Sequence, residues 1–278
     1  MCRIFGFRSV IQSQVHRSLV DADNALGVQS QKHPDGWGVA YYVHGAPHLT
    51  KSASTALNDA LFRRVSGIVA SETVLAHIRK ATVGGNSVLN THPFQYGPWV
   101  FAHNGEIPEF DRCRKQLEAE IAPRLRRFIL GETDSERIFF LFLSVLSGFG
   151  PLDGRLAVGD VMDALEETNR RIRALSDGPD APEPASLNLL ATNGSCLVAV
   201  HGGKELYWST YKTSCADRDT CPFLAPACEA PTQDGFVNHL IIASEPLSGD
   251  NIWLEMSQGE MVGVDWRMRL ERRTPATA

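Results

Sequence analysis

Cys2 stands directly behind Met1. Were Met1 removed, as is usual when a small residue follows it, Cys2 would carry a free α-amino group beside its thiol, a base and a nucleophile on one residue. A small apolar residue opening a buried strand is the other reading, and the first ten residues alone favour it. Further along, polar side chains crowd at the ends of apolar runs: HPDGWG at 33–38, AHIRKAT at 76–82, NTHPF at 90–94, AHNGEI at 102–107 and GETDSE at 131–136. Taken singly, each has an ordinary structural explanation. HNG is a turn, Arg79 an ion-pair partner, and Asp134 a charge stabilised at a helix N-terminus. Together with a cysteine at the second position they become candidates for one site.

The elements that must position these groups can be read from periodicity. Runs at 2–7, 37–43, 74–79 and 98–103 are rich in aromatic and β-branched residues and are punctuated by Gly, Pro or Asn, which predicts strands. Helical spacing of apolar residues marks 12–27 and 54–66, then 109–129, 134–147 and 160–176. Thr133 with Glu136 three residues on, ahead of Ile138-Phe139-Phe140, predicts a capping box in which Glu136 returns to the Thr133 amide. Proline-rich 177–186 is a surface connection and a candidate domain boundary. Beyond it, 187–210, 239–245 and 260–273 read as strands. Asn193-Gly194 gives the strongest hairpin signal and Gly202-Gly203 the next turn. These late strands are expected to form a second sheet stacked on the first.

The 278 residues carry 43% hydrophobic and 21% charged side chains with a net charge of −5, which argues against nucleic acid or an anionic membrane as partner. Arg124, Arg126 and Arg127, and Arg170, Arg171 and Arg173, fall on helical segments as solvated faces. There is no apolar stretch of signal-peptide length, and the run 138–146 is too short to span a bilayer. A cytoplasmic location is expected. Six unevenly spaced cysteines do not form a disulfide framework. Cys215, Cys221 and Cys228 cluster without a CxxC pair, so neither a metal site nor a cofactor is expected.

In this order and at these spacings, MCRIFGF, DGWG, HIRKAT, THPF, HNGEI and TDSE resemble the class II glutamine amidotransferase domain, a branch of the N-terminal nucleophile (Ntn) hydrolases. ASEPL at 243–247, with the W and GE elements after it, is similar to stand-alone members described as predicted glutamine amidotransferases or γ-glutamyl amidohydrolases. The resemblance covers nearly the whole chain. It implies an α+β fold, the four-layer αββα sandwich of two stacked, mostly antiparallel sheets flanked by helices, as one domain over 2–271 with a flexible tail at 272–278.

It also implies roles. Cys2 matches the nucleophile, which would divide hydrolysis of a poorly electrophilic γ-amide into two steps through a thioester. An α-amine titrating near ~7.7–8.0 would serve as its base. Asn104, by its side-chain amide, and Gly105, by its backbone N–H, match the oxyanion pair. Arg79 matches the group that grips the substrate α-carboxylate and Asp134 the acceptor of its α-ammonium. Thr82 and His92 match further positions around the carboxylate and the pocket wall, and Gly36 and Gly38 would let the HPDGWG turn pack close to Cys2. Many amidotransferases carry Arg-Gly ahead of this turn's aspartate, where Lys32, His33 and Pro34 stand here. Whether a cation from the turn helps orient the terminus is therefore open.

The expected activity is cysteine-dependent cleavage of the γ-amide of L-glutamine to glutamate and ammonia. Hydrolysis of a γ-glutamyl peptide or γ-glutamyl intermediate is the alternative. A non-catalytic ligand-sensing subunit would need none of Cys2, Arg79, Asn104, Gly105 and Asp134, and a thiol protease would need a better-placed cysteine than Cys113 or Cys196. The resemblance leaves no acceptor-substrate domain in the chain, so ammonia would pass to a synthase partner subunit or be released. A homodimer would be ordinary. The leaving-group pocket is expected in loops whose specificity the sequence does not reveal, with 211–236 and its Pro and Cys content one candidate.

Overall fold

Apolar side chains alternate from Ile4, so the strand they build has two buried faces: Ile4 turns to one and Phe5 and Phe7 to the other. The computed structural model describes residues 2–14, 17–179, 181–215, 218–219 and 221–275. This first strand, β1 (Arg3–Gln14), lies inside a seven-stranded antiparallel sheet. On one side it pairs with β4 (Ala70–Ile78), followed by β2 (Trp37–Val43) and β3 (Ala46–Ser52). On its other side come β10 (His239–Ala243), β9 (Tyr207–Ser209) and β11 (Leu254–Glu255).

A second antiparallel sheet runs in the order β13 (Leu270–Arg273), β12 (Met261–Val264), β8 (Leu197–Val200), β7 (Ser186–Thr192), β6 (Trp99–Glu106) and β5 (Phe94–Tyr96). Ile4, Ala40, Leu75, Val100, Ala102, Leu190 and Ile242 fill the space between the sheets. Outside the first sheet, α1 (Leu26–Gln29) and α2 (Ala60–Ile68) cover Phe5, Trp37 and Val74. Outside the second lie α3 (Arg114–Glu120), α4 (Pro123–Arg126), α5 (Asp134–Leu146) and α6 (Val158–Ser176), packed over Phe101 and Leu187. The layers are thus αββα, as expected. Phe139 and Phe142 of α5 are fully buried, each burial contributing roughly 1.5–3 kcal/mol. Among the described residues no helix is long and apolar enough to cross a membrane.

Several local expectations are corrected. Residues 12–14 are not helical: after a register shift following Arg8, Ser13 and Gln14 rejoin Ser71 and Ala70 of β4. Only a π-helical turn at Arg17–Asp21 and the short α1 follow within 12–27. The helix expected at 54–66 begins later, where the Asp59 carboxylate accepts from the Leu61 and Phe62 amides. The helix expected at 109–129 is divided into a 3₁₀ turn at Phe110–Arg112, α3 and α4, because Pro123 forces Ala122 out of the helical region to ψ 130°.

The late strands do not form a sheet of their own. β9, β10 and β11 extend the first sheet past β1, whereas β6, from the early half, lies in the second. Gly202-Gly203 accordingly sits in a passage between sheets; a Cβ on Gly202 would lie 2.1 Å from the Leu187 carbonyl oxygen. The Asn193-Gly194 hairpin is as expected, with Asn193 Oδ1 accepting from the amides of Ser195 and Cys196, both at 3.0 Å, and Gly194 at φ 85°. Arg272 and Arg273 complete β13, in keeping with the strand read over 260–273 and inside the tail bound of 272–278, and pair with Glu260 and Asp163. Residues 276–278, and Asp180 of the proline-rich connection, lie outside the described residues.

Candidate active site

Antiparallel pairing gathers the polar clusters at one edge of the molecule. The start of β1 lies beside the ends of β4 and β10, since Arg3 faces Ile78 and Phe5 faces Ala243; the start of β2 faces the same Ile78 through Trp37. Cys2, Lys80, Ser244 and Gly36 are neighbours for that reason. The second sheet adds the end of β6, and the outer layer adds the N-terminus of α5.

Cys2 is half-buried, with its sulfur against the backbone of Lys80: the Lys80 N–H reaches Sγ at 3.3 Å and Sγ lies 3.4 Å from the Lys80 carbonyl oxygen. Burial raises the thiol pKa, and the Lys80 N–H and Arg79 only partly oppose it. A thiol raised in this way calls for a base at the step in which sulfur attacks.

Arg79 is buried, and both terminal nitrogens of its guanidinium are engaged. Nη1 donates to the Gly85 carbonyl (3.3 Å) and Asn86 Oδ1 (3.1 Å), and Nη2 to the carbonyls of Val83 (3.0 Å) and Gly84 (3.1 Å). Asp35 braces the same turn by accepting from the Ala81 amide at 2.9 Å. Glu132 holds the loop from the far side, accepting from the Gly85 amide and from Asn90 Nδ2.

At the end of β6, Asn104 is 2% exposed; its Nδ2 lies 3.3 Å from Ser244 Oγ. Gly105 tolerates no side chain, since a Cβ would stand 1.9 Å from the Ser186 carbonyl oxygen. The buried Asp134 carboxylate opens α5 and accepts from the Ile107 amide at 2.9 Å and the Ser135 amide at 2.7 Å. It therefore fixes the turn that follows Asn104-Gly105. Thr133 Oγ1 caps α5 through the Glu136 amide at 3.2 Å. The reciprocal half of the capping box is absent: the Glu136 carboxylate reaches instead to the amides of Leu130 (3.0 Å) and Gly131 (2.7 Å).

A cavity of about 650 Å³ opens between the loop after Arg79 and the turn after Gly105. Thr82, Val83 and Gly84 form one wall and Glu106 through Arg112 the other. Among the described residues, no three or more His, Cys, Asp or Glu side chains are grouped to hold a metal ion.

A family model described as class-II glutamine amidotransferases matches residues 1–268. The chain belongs to the class II glutamine amidotransferases. It is accordingly an enzyme of the Ntn type. The γ-glutamyl-hercynylcysteine sulfoxide hydrolase of Mycobacterium tuberculosis is 30% identical over 274 residues, 95% of this chain and 93% of that protein. DUG3 of Saccharomyces cerevisiae is 34% identical over 178 residues, 59% of this chain, and the match spans only 50% of that protein. Among solved structures, a class-II domain protein from Silicibacter pomeroyi has a TM-score of 0.65 at 22% identity over 98% of each chain. The Bacillus subtilis glutamine phosphoribosylpyrophosphate amidotransferase scores 0.61 at 15% identity, with 98% of this chain on 49% of that one. At these identities the two structures speak to the fold.

In this amidotransferase Cys2, Arg79, Asn104, Gly105 and Asp134 share one edge, and Thr82 lines the adjoining cavity. His92 does not. Its ring packs between His77 (centroids 4.1 Å apart) and Phe94 (4.6 Å), and both its nitrogens are buried without a hydrogen-bond partner among the described residues. Gly36 and Gly38 are tight against other neighbours than Cys2. A Cβ on Gly36, at φ 135°, would meet the Ser52 oxygen and Thr91, and one on Gly38 would lie 2.2 Å from the His92 carbonyl. The HPDGWG turn supplies no cation from His33, whose pKa is lowered to about 4, first by burial and then by Arg3 and other nearby positive charges. Met1 lies outside the described residues. Asp35, Glu132 and Ser244 had no assigned part in the sequence reading. HPDGWG, GETDSE and ASEPL contain all three, but a sequence motif does not say which backbone amide or side chain a polar group will meet.

Proposed function

We propose that the chain hydrolyses the γ-amide of L-glutamine through a thioester at Cys2, after removal of Met1. One observation carries this reading: a half-buried thiol ahead of β1 is set beside two oxyanion candidates from β6, a guanidinium from the end of β4 and a carboxylate from α5. The freed α-amine takes the Sγ proton as sulfur attacks the γ-carbonyl carbon. Asn104 Nδ2 and the Gly105 N–H receive the charge that develops on oxygen. The ammonium then returns its proton to the leaving nitrogen, ammonia departs, and water opens the thioester to glutamate. Arg79 exchanges loop carbonyls for the substrate α-carboxylate, and Asp134 faces the α-ammonium.

A second reading has its own support. The likeness to a γ-glutamyl-hercynylcysteine sulfoxide hydrolase extends over nearly both chains, which favours a γ-glutamyl compound with a larger leaving group. Both readings share the glutamyl half of the site and the chemistry. Glutamate release from L-glutamine and from a panel of γ-glutamyl peptides and amines, each compared with Cys2→Ala, tests them. Cys2-dependent release from glutamine supports the first; release confined to larger γ-glutamyl compounds supports the second. Release that survives Cys2→Ala contradicts both.

A further inference from the structure

Ser244, the residue that follows β10, is 3% exposed and stitched to the start of β1. Its N–H donates to the Ile4 carbonyl at 3.1 Å, and its Oγ accepts from the Ile4 amide at 2.9 Å. Asn104 Nδ2 lies 3.3 Å from the same Oγ, while Asn104 Oδ1 is buried with no hydrogen-bond partner among the described residues. The arrangement wastes two groups: a hydroxyl carries one proton and two lone pairs, and here both lone pairs are used while the proton has no acceptor among the described residues. The oxygen and nitrogen ends of an amide have nearly the same shape, so hydrogen bonding decides which end faces Ser244. Half a turn of the Asn104 amide lets the Ser244 hydroxyl donate to Oδ1, which satisfies both groups and moves the unpartnered position to Nδ2, a donor for which a developing oxyanion would be the acceptor.

We propose that Ser244 is a positioning residue for Asn104: its hydroxyl, itself held by the Ile4 amide, donates to Oδ1 and leaves both Nδ2 protons free for the developing oxyanion. The role rests on the reading of Asn104 as an oxyanion donor. It ties that donor to the strand that carries Cys2, so nucleophile and oxyanion donor keep register although they belong to different sheets. Preorganisation of this kind lowers the barrier without tightening ground-state binding.

The test compares Ser244→Ala, Ser244→Thr, Asn104→Ala and the Ser244→Ala/Asn104→Ala pair in the full chain with Met1 removed. The substrates are L-glutamine and γ-glutamyl-p-nitroanilide. Ser244→Ala should lower kcat roughly tenfold with KM within about twofold, the loss of one positioning hydrogen bond. Alkylation of Cys2 by iodoacetamide, which builds no oxyanion, should keep its wild-type rate. Ser244→Thr should restore kcat, and Ser244→Ala should cost nothing further where Asn104 is already alanine. Wild-type kcat in Ser244→Ala while Asn104→Ala is impaired would overturn the role of Ser244 alone, as would an equal loss in both backgrounds. Wild-type turnover by Asn104→Ala would instead overturn the oxyanion reading beneath it.

Discussion

Arg79 waits on its own loop. Four hydrogen bonds to the 83–86 segment occupy both terminal nitrogens of a buried guanidinium, so in its proposed role Arg79 would grip a substrate carboxylate by exchanging partners. Lysine, a point charge without the planar fork, cannot make the same exchange. Arg79→Lys should raise KM for a γ-glutamyl substrate roughly 10–100-fold while changing kcat little, measured in steady state. Asn104→Ala should do the reverse, lowering kcat by about 10²–10³ at nearly constant KM. Gly105 is constrained by space: the Ser186 carbonyl occupies the place a Cβ would take. Gly105→Ala should displace the end of β6 from β7 and lower both the melting temperature and kcat.

At the scale of elements, the first turn of α5 holds the site's second half in place. The Asp134 carboxylate is tied to the Ile107 amide and to the first turn of its own helix. Asp134→Ala should leave that amide without its buried acceptor and destabilise the fold by about 1.5–3 kcal/mol in urea unfolding, with kcat/KM falling as well. Much of this framework was legible. Strands 37–43, 74–79 and 98–103 were visible because β-branched and aromatic residues lie between turn signals, and α5 was marked by Thr133 and its apolar run. The second half of the capping box was not, because Glu136 meets backbone amides of Leu130 and Gly131 that no periodicity reveals. Strand partnership was equally hidden: a run such as HLIIA announces burial on both faces but not that its neighbour is β1, more than two hundred residues earlier. The depth of His92 was hidden for a related reason, since THPF marks a family position while the place of the ring depends on how β4 and β5 pack.

The whole molecule buries histidines in separate regions, with consequences for its pH range. His77, between the sheets, has its pKa lowered to about 3; His33, in the turn before β2, and His239, on β10, are each lowered to about 4, burial being the leading cause in every case. These folded-state values lie below the ordinary 6.5, so the groups leave stability unchanged above about pH 6.5. As pH falls from there toward 3–4, the unfolded chain takes up protons that the folded one refuses, and stability drops. Each such histidine contributes at most about 1.4 kcal/mol per pH unit across its window. The denaturation midpoint should therefore be flat near pH 7–8 and fall steeply between pH 6 and 4, and His77→Leu should make that fall shallower.

If these layers converge on one processed cysteine, intact-mass and peptide mass spectrometry after treatment with the glutamine-like electrophile 6-diazo-5-oxonorleucine should find a chain lacking Met1 that carries one adduct, on Cys2, abolished by Cys2→Ala. An adduct on Cys113, Cys196, Cys215, Cys221 or Cys228, or no adduct on a chain whose terminus is correctly processed, would contradict it.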